Sequence, residues 1–285
     1  MIWVNGAAAT GAAAIDAGDR GLLLADGVFD TALVVNGGVV WRAAHDARLV
    51  AFCAAIGIAA DADCAGLPLA RRIGEAMDLA SAGMALGSVR VTVTRGPGPR
   101  GVAPPQTPRP TVIAARAPMT EPAAFRPLSL WVSGVRRNET SLASRIKSLA
   151  YIDSVLETAH ARAAGCDEPL FLNTRGEVAC SGVGNVFILR GRRLLTPPVE
   201  AGALPGVARC AVMQLAPRIG LEATEHGFTL EELAGADAVY VTNSLRLLAP
   251  VTRLGGAPLR ARKNVFAGLR ALLAAAAGLP DPGER

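Results

Sequence analysis

The chain runs in short apolar stretches broken by polar turns, and the period of the pattern changes along it. Residues 1–42 read as strands and turns. Ile2, Trp3 and Val4 precede Asn5-Gly6, a turn signal. An apolar run over 28–35 ends at Asn36-Gly37-Gly38 and resumes at Val39, Val40 and Trp41, which predicts a hairpin. Leu49, Phe52, Cys53 and Ile56 recur at helical spacing and predict a helix over 45–56, and a second helix is expected over 69–82. Residues 88–94 (SVRVTVT) alternate as a strand does. They run into 95–101 (RGPGPRG), where regular structure cannot continue. A further strand is expected over 111–115.

Residues 116–127 hold three prolines and little periodicity, which predicts a domain boundary. Beyond it lie a strand over 128–132 and a helix over 150–164 that stops at Gly165. Strands are expected over 168–172 and from 178 onward into Asn185-Val186-Phe187-Ile188-Leu189. A helix over 207–215, a buried strand over 238–242 and a closing helix over 266–277 complete the pattern. Strands and helices mix without a strict βαβ repeat. The expected fold is therefore α+β in two domains. A smaller α/β domain covers 1–115, a linker 116–127, and a larger α/β domain 128–285.

Composition narrows the classes. Hydrophobic residues are 51% and charged residues 19% of 285, the balance of a packed globular protein. The longest apolar run, 271–279, is much shorter than the roughly 20 residues a membrane helix needs. The first residues carry no cationic segment and soon reach Asp16, Asp19 and Arg20, so no signal peptide is expected. Five cysteines, an odd number without a CxxC pair, predict reduced thiols in a cytoplasmic protein. His45, His160 and His226 are far apart, so no metal site is expected. The net charge of +5 is spread along the chain and aromatics are 4%, which argues against a nucleic-acid partner.

Lysine and arginine together number 29, yet only Lys147 and Lys263 are lysine. Such a bias is what a GC-rich genome produces, and it leaves two side chains for chemistry that needs a primary amine. Lys263 lies in the basic run Arg260-Ala261-Arg262-Lys263, where solvation is its expected role. Lys147 lies between a strand-like segment and an apolar-faced helix. As a neutral amine it could form an imine with a carbonyl. Two segments could cradle an anion. Gly202 to Arg209 is a Gly/Pro turn opening a helix, and Thr242-Asn243-Ser244 follows a buried strand. Each is equally read as an N-cap or a plain turn. Arg48 and Arg100 could pair with a phosphate or carboxylate, or be ordinary surface arginines.

These segments occur together, in order, in one family. They are Asp19-Arg20-Gly21 with Ala25-Asp26-Gly27-Val28-Phe29-Asp30-Thr31; His45-Asp46-Ala47-Arg48-Leu49; the 95–101 loop; Ile146-Lys147-Ser148-Leu149; Gly184-Asn185-Val186-Phe187; Gly206-Val207-Ala208-Arg209; and Thr242-Asn243-Ser244-Leu245. The chain resembles the class IV aminotransferases, the pyridoxal 5′-phosphate (PLP) enzymes of fold type IV. The resemblance implies a cytoplasmic homodimer acting on a small amino substrate with a carboxylate. Lys147 would be the Schiff-base lysine and later the proton carrier. Arg48, the Val207 and Ala208 amides and Ser244 would hold the cofactor phosphate. Phe29, Arg100 and Asn243 would face the substrate.

Phe29 in place of a tyrosine, the 95–101 loop and the Thr-Asn-Ser-Leu segment resemble 4-amino-4-deoxychorismate lyase, which forms 4-aminobenzoate and pyruvate on the folate route. The alternatives are a D-amino-acid or branched-chain aminotransferase, or a degenerate relative that binds PLP without turnover. One position departs sharply. Cys180 stands where the family carries the glutamate that pairs with the pyridine nitrogen. Glu177 is an odd number of residues away and should face the other side of a strand. Ala150 and Ala208 replace a common asparagine and threonine.

Overall fold

The computed structural model describes residues 1–9 and 15–280. It divides into two compact units. The first is Met1–Pro122 with Lys147–Ala150, and the second is Ala123–Ile146 with Tyr151–Arg285.

In the first unit, six strands among the described residues form an antiparallel sheet. Their order is Ala7–Ala9, Ile2–Val4, Thr111–Pro118, Leu86–Thr94, Gly27–Val35, Gly38–Val39. The alternation in Leu86–Thr94 decides its faces. Val89, Val91 and Val93 are fully buried, while Arg90 between them is exposed. Helices Arg42–Ala55 and Leu69–Ser81 pack on the sheet through Leu49, Phe52, Ile73 and Met77. The hairpin predicted over 28–41 is present, formed by Gly27–Val35 and the short Gly38–Val39. Asn36 and Gly37 take the left-handed φ values of 50° and 78° that a tight hairpin turn requires.

The two units differ from the expected domain plan at two points. Strand Thr111–Pro118 runs into the supposed 116–127 linker, and the units part between Pro122 and Ala123. Lys147 was expected in the larger domain, but Lys147–Ala150 belongs to the first unit. Backbone hydrogen bonds are the reason. The Phe29 amide donates to the Lys147 carbonyl at 2.9 Å, and the Leu149 amide donates to the Gly27 carbonyl at 3.1 Å. The segment therefore lies against strand Gly27–Val35 as an added edge. Gly27 permits the approach. A Cβ there would come within 2.5 Å of the Val93 carbonyl oxygen and 2.9 Å of Leu149 Cδ1.

The second unit is built on a mixed sheet of nine strands among the described residues. The order is Val178–Ser181, Glu168–Asn173, Leu128–Arg137, Ala249–Leu254, Ala238–Thr242, Asn185–Arg190, Arg193–Thr196, Glu222–Glu225, with Ala257–Pro258 paired to Ala249–Leu254. Leu128–Arg137 is parallel to both of its neighbours. Leu130, Leu170, Val186, Ile188 and Val241 join Phe228 and Leu233 in one core. Each such side chain contributes roughly 1.5–3 kcal/mol on leaving water. Helix Ile152–Ala163 covers one end of the sheet, and Val207–Leu215 packs with Lys263–Ala277. Among the described residues no helix is long and apolar enough to cross a membrane, and no cluster of His, Cys, Asp and Glu is placed to hold a metal.

Candidate active site

Lys147 is partly buried, and its Nζ stands 4.4 Å from the centroid of the Phe29 ring. The Arg90 guanidinium lies 3.5 Å from the same centroid. Phe29 and Arg90 project from the same face of paired strands, because Phe29 registers with Thr92 and Thr31 with Arg90. Two cations thus share one aromatic ring, an arrangement of electrostatic attraction to the ring face. The sequence reading brought Lys147 and Phe29 forward and passed over Arg90. The available signal was that Arg90 is the one charged residue within an otherwise uncharged alternation.

Asp30 points to the other side of strand Gly27–Val35, into the packing with helix Arg42–Ala55. Its carboxylate accepts two bonds from Arg48, at 2.9 Å from Nε and 2.8 Å from Nη2, and one from His45 Nδ1 at 2.8 Å. Asp30 and His45 are fully buried, and the Arg48 side chain is 9% exposed. Burial alone would raise the Asp30 carboxyl, but the His45 bond and the charge and bonds of Arg48 prevail. They hold it at about 2, against the usual 3.8. Arg48 is therefore fixed in direction. The second ring nitrogen of His45, Nε2, is buried with no partner.

Arg100 is exposed on the 95–101 loop, and that loop is fastened from beneath. Arg20 is buried and donates to three successive carbonyls, Gly101 and Val102 at 3.0 Å and Ala103 at 3.2 Å. Asp26 bridges Arg20 and Arg95, each at 2.8 Å. Asp19 caps the short helix Arg20–Leu24 and accepts from Thr94 and Thr111 hydroxyls. The Asp19-Arg20-Gly21 motif is thus scaffolding for the loop.

In the second unit, helix Val207–Leu215 begins as predicted, with Gly206 as its cap and no side-chain capping bond. The Val207 and Ala208 amides therefore keep their donor capacity at a positive helix end. Asn185 shapes the preceding turn by donating to the Leu204 carbonyl at 2.7 Å. A Cβ on Gly206 would come within 2.1 Å of Asn185 Oδ1, so only glycine fits. The Asn243 side-chain oxygen accepts from the Leu245 and Arg246 amides, at 3.0 and 2.8 Å, and so shapes the turn that bears Ser244. Cys180 is half-buried, and Glu177 is engaged by Asn173 and Arg175 at the adjoining hairpin.

A family model described as amino-transferase class IV matches residues 27–254. The chain belongs to the class IV aminotransferases. These are PLP-dependent enzymes, and the two-domain α+β fold is that of fold type IV. The D-alanine aminotransferase of Bacillus licheniformis is 30% identical over 264 residues, 90% of this chain and 91% of that enzyme. The aminodeoxychorismate lyase of Bacillus subtilis is 35% identical over 126 residues, 43% of this chain and 42% of that one. Among solved structures, the 4-amino-4-deoxychorismate lyase from Pseudomonas aeruginosa is similar with a TM-score of 0.83 at 28% identity, covering 96% of this chain and 98% of that one. Three of the class IV segments carry groups chemically suited to PLP. The uncapped helix start over Gly206 suits a phosphate, Arg48 is a fixed cation, and Lys147 presents an amine.

Proposed function

We propose that the protein is a PLP-dependent lyase that converts 4-amino-4-deoxychorismate to 4-aminobenzoate and pyruvate. By the class IV resemblance, Arg48, the Val207 and Ala208 amides and Ser244 would hold the phosphate of PLP, and Lys147 would be its Schiff-base lysine. Bound PLP supplies the electron sink. Lys147 then takes the proton from the amine-bearing carbon of the substrate and returns a proton later in the elimination.

The observation that carries this reading is the set of groups around Phe29. A phenyl ring, not a phenol, stands 4.4 Å from Lys147 Nζ, with Arg90 on the same ring. The substrate has two carboxylates. Arg90 on the strand and Arg100 on the fastened loop offer two guanidinium groups suited to them. The lyase similarity along nearly the whole chain supports the same reading.

The similarity to D-alanine aminotransferase over 90% of the chain favours a second reading, a transaminase for D-amino or branched-chain acids. One coupled assay separates the two. Pyruvate released from 4-amino-4-deoxychorismate with no 2-oxo-acid acceptor present is the expected result. Turnover that strictly requires an acceptor would replace the lyase with the transaminase.

A further inference from the structure

Cys180 replaces a carboxylate in the class IV pattern, and its surroundings have the opposite polarity. Strand Val178–Ser181 pairs with Glu168–Asn173, placing Cys180 opposite Phe171. The next strand of the sheet, Leu128–Arg137, ends in Arg137. The Arg137 guanidinium lies over the Phe171 ring, 4.2 Å from its centroid, and donates to Ser154 Oγ at 2.7 Å. Its charge also acts on the Cys180 thiol. Arg137 Nε is buried without a partner. Burial pushes the Cys180 thiol up, and Arg137 offsets this only in part, so the sulfur is a neutral S–H near pH 7.

The carboxylates of Glu168 and Glu177 are both engaged elsewhere. Glu168 is paired with Arg246 through Oε1, and its Oε2 accepts from Ser181 Oγ at 2.9 Å. Glu177 is taken by Asn173 and Arg175.

Resting on the PLP reading above, we infer that Arg137 and Cys180 face the pyridine nitrogen of the bound cofactor as hydrogen-bond donors and keep that nitrogen unprotonated. A protonated pyridine is itself a donor and needs an acceptor. A guanidinium has five donors and no acceptor, and it keeps its charge at any working pH. A positive charge within about 4–6 Å disfavours a second one. The orphaned Arg137 Nε is a donor of the kind that a neutral nitrogen lone pair satisfies. A neutral ring draws electrons less strongly than a pyridinium. Elimination to an aromatic product takes driving force from the product itself, whereas amino-group exchange relies on the ring to spread charge. Arg137 and Cys180 thereby act as positioning residues that bias the site towards elimination.

Nitrogen-15 NMR of the full-length protein reconstituted with ring-labelled PLP tests this without reference to turnover. The wild-type signal is expected at the position of neutral pyridine, and Cys180→Glu should move it to the pyridinium position. A wild-type signal already at the pyridinium position overturns the inference, whatever the variant does. A signal unmoved by Cys180→Glu also overturns it, because residue 180 would then not face the nitrogen. A protein that binds no PLP removes the cofactor reading and the inference together, and is recognised by the absence of any bound resonance.

Discussion

Asp30 is the clearest case of one residue setting the properties of another. It comes 15 and 18 residues before His45 and Arg48 in sequence, so no local pattern announces the cluster, and only the fold unites it. Its folded carboxyl titrates at about 2 rather than 3.8. A depressed value of this kind stabilises the fold fully above about pH 4, and that share is lost as pH falls through about 2, a linkage of about 2 kcal/mol. Replacing Asp30 by asparagine also removes the carboxylate that faces the Arg48 charge. Asp30→Asn should therefore cost about 3–5 kcal/mol at neutral pH, as breaking a buried pair does. It should also flatten the acid limb of the stability curve. Urea unfolding followed by circular dichroism across acid pH measures both, and an acid limb as steep as wild type would show that Asp30 is not the group responsible. Lys147 and Arg48 stand out in the sequence through their motifs, whereas Asp30 stands out only as a motif letter and Arg90 only as a lone charge in the 88–94 alternation.

Two elements matched their expected ends, whereas the helix expected over 45–56 runs over Arg42–Ala55 and the one expected over 266–277 starts at Lys263. Helix Val207–Leu215 and strand Ala238–Thr242 begin and stop where the apolar pattern does. The elements that escaped have physical reasons. Strand Glu222–Glu225 holds no large apolar residue and is held by parallel pairing to Arg193–Thr196, a tertiary contact. Helix Leu230–Ala234 is too short for a period, although its Thr229–Glu232 capping box is written in the sequence. Helix start Gly206 joins both kinds of information: the turn was legible, but its dependence on Asn185 was not. Asn185 is buried and already bonded to Leu204, so its oxygen cannot easily retreat from a new methyl group. Gly206→Ala should leave the fold in place and weaken PLP about tenfold or more, a loss on the order of 1.4 kcal/mol. Titration of the apoprotein with PLP by visible absorption gives the constant. An unchanged constant would mean that the Val207 and Ala208 amides do not hold the phosphate.

At the scale of the whole molecule, the scarcity of lysine becomes an experimental advantage. Of the two lysines, Lys147 is anchored to strand Gly27–Val35 beside Phe29, and Lys263 opens the exposed start of helix Lys263–Ala277. Genome-wide pressure against lysine would spare a residue that chemistry requires, and the fold has given the two sites very different surroundings. Borohydride reduction of the PLP-loaded protein converts the covalent link to a stable secondary amine. Trypsin does not cut after such a lysine. The reduced protein should therefore yield residues 146–162 as one peptide carrying the cofactor mass, because cleavage falls after Arg145 and Arg162 but not after Lys147. Cleavage after Lys263 should be unimpaired and release residues 264–270 as a separate, unmodified peptide. Cofactor found on Lys263, or on the N-terminal amine, would displace Lys147 from the chemistry while leaving family membership untouched. The two-lysine composition makes that outcome unambiguous in a single digest.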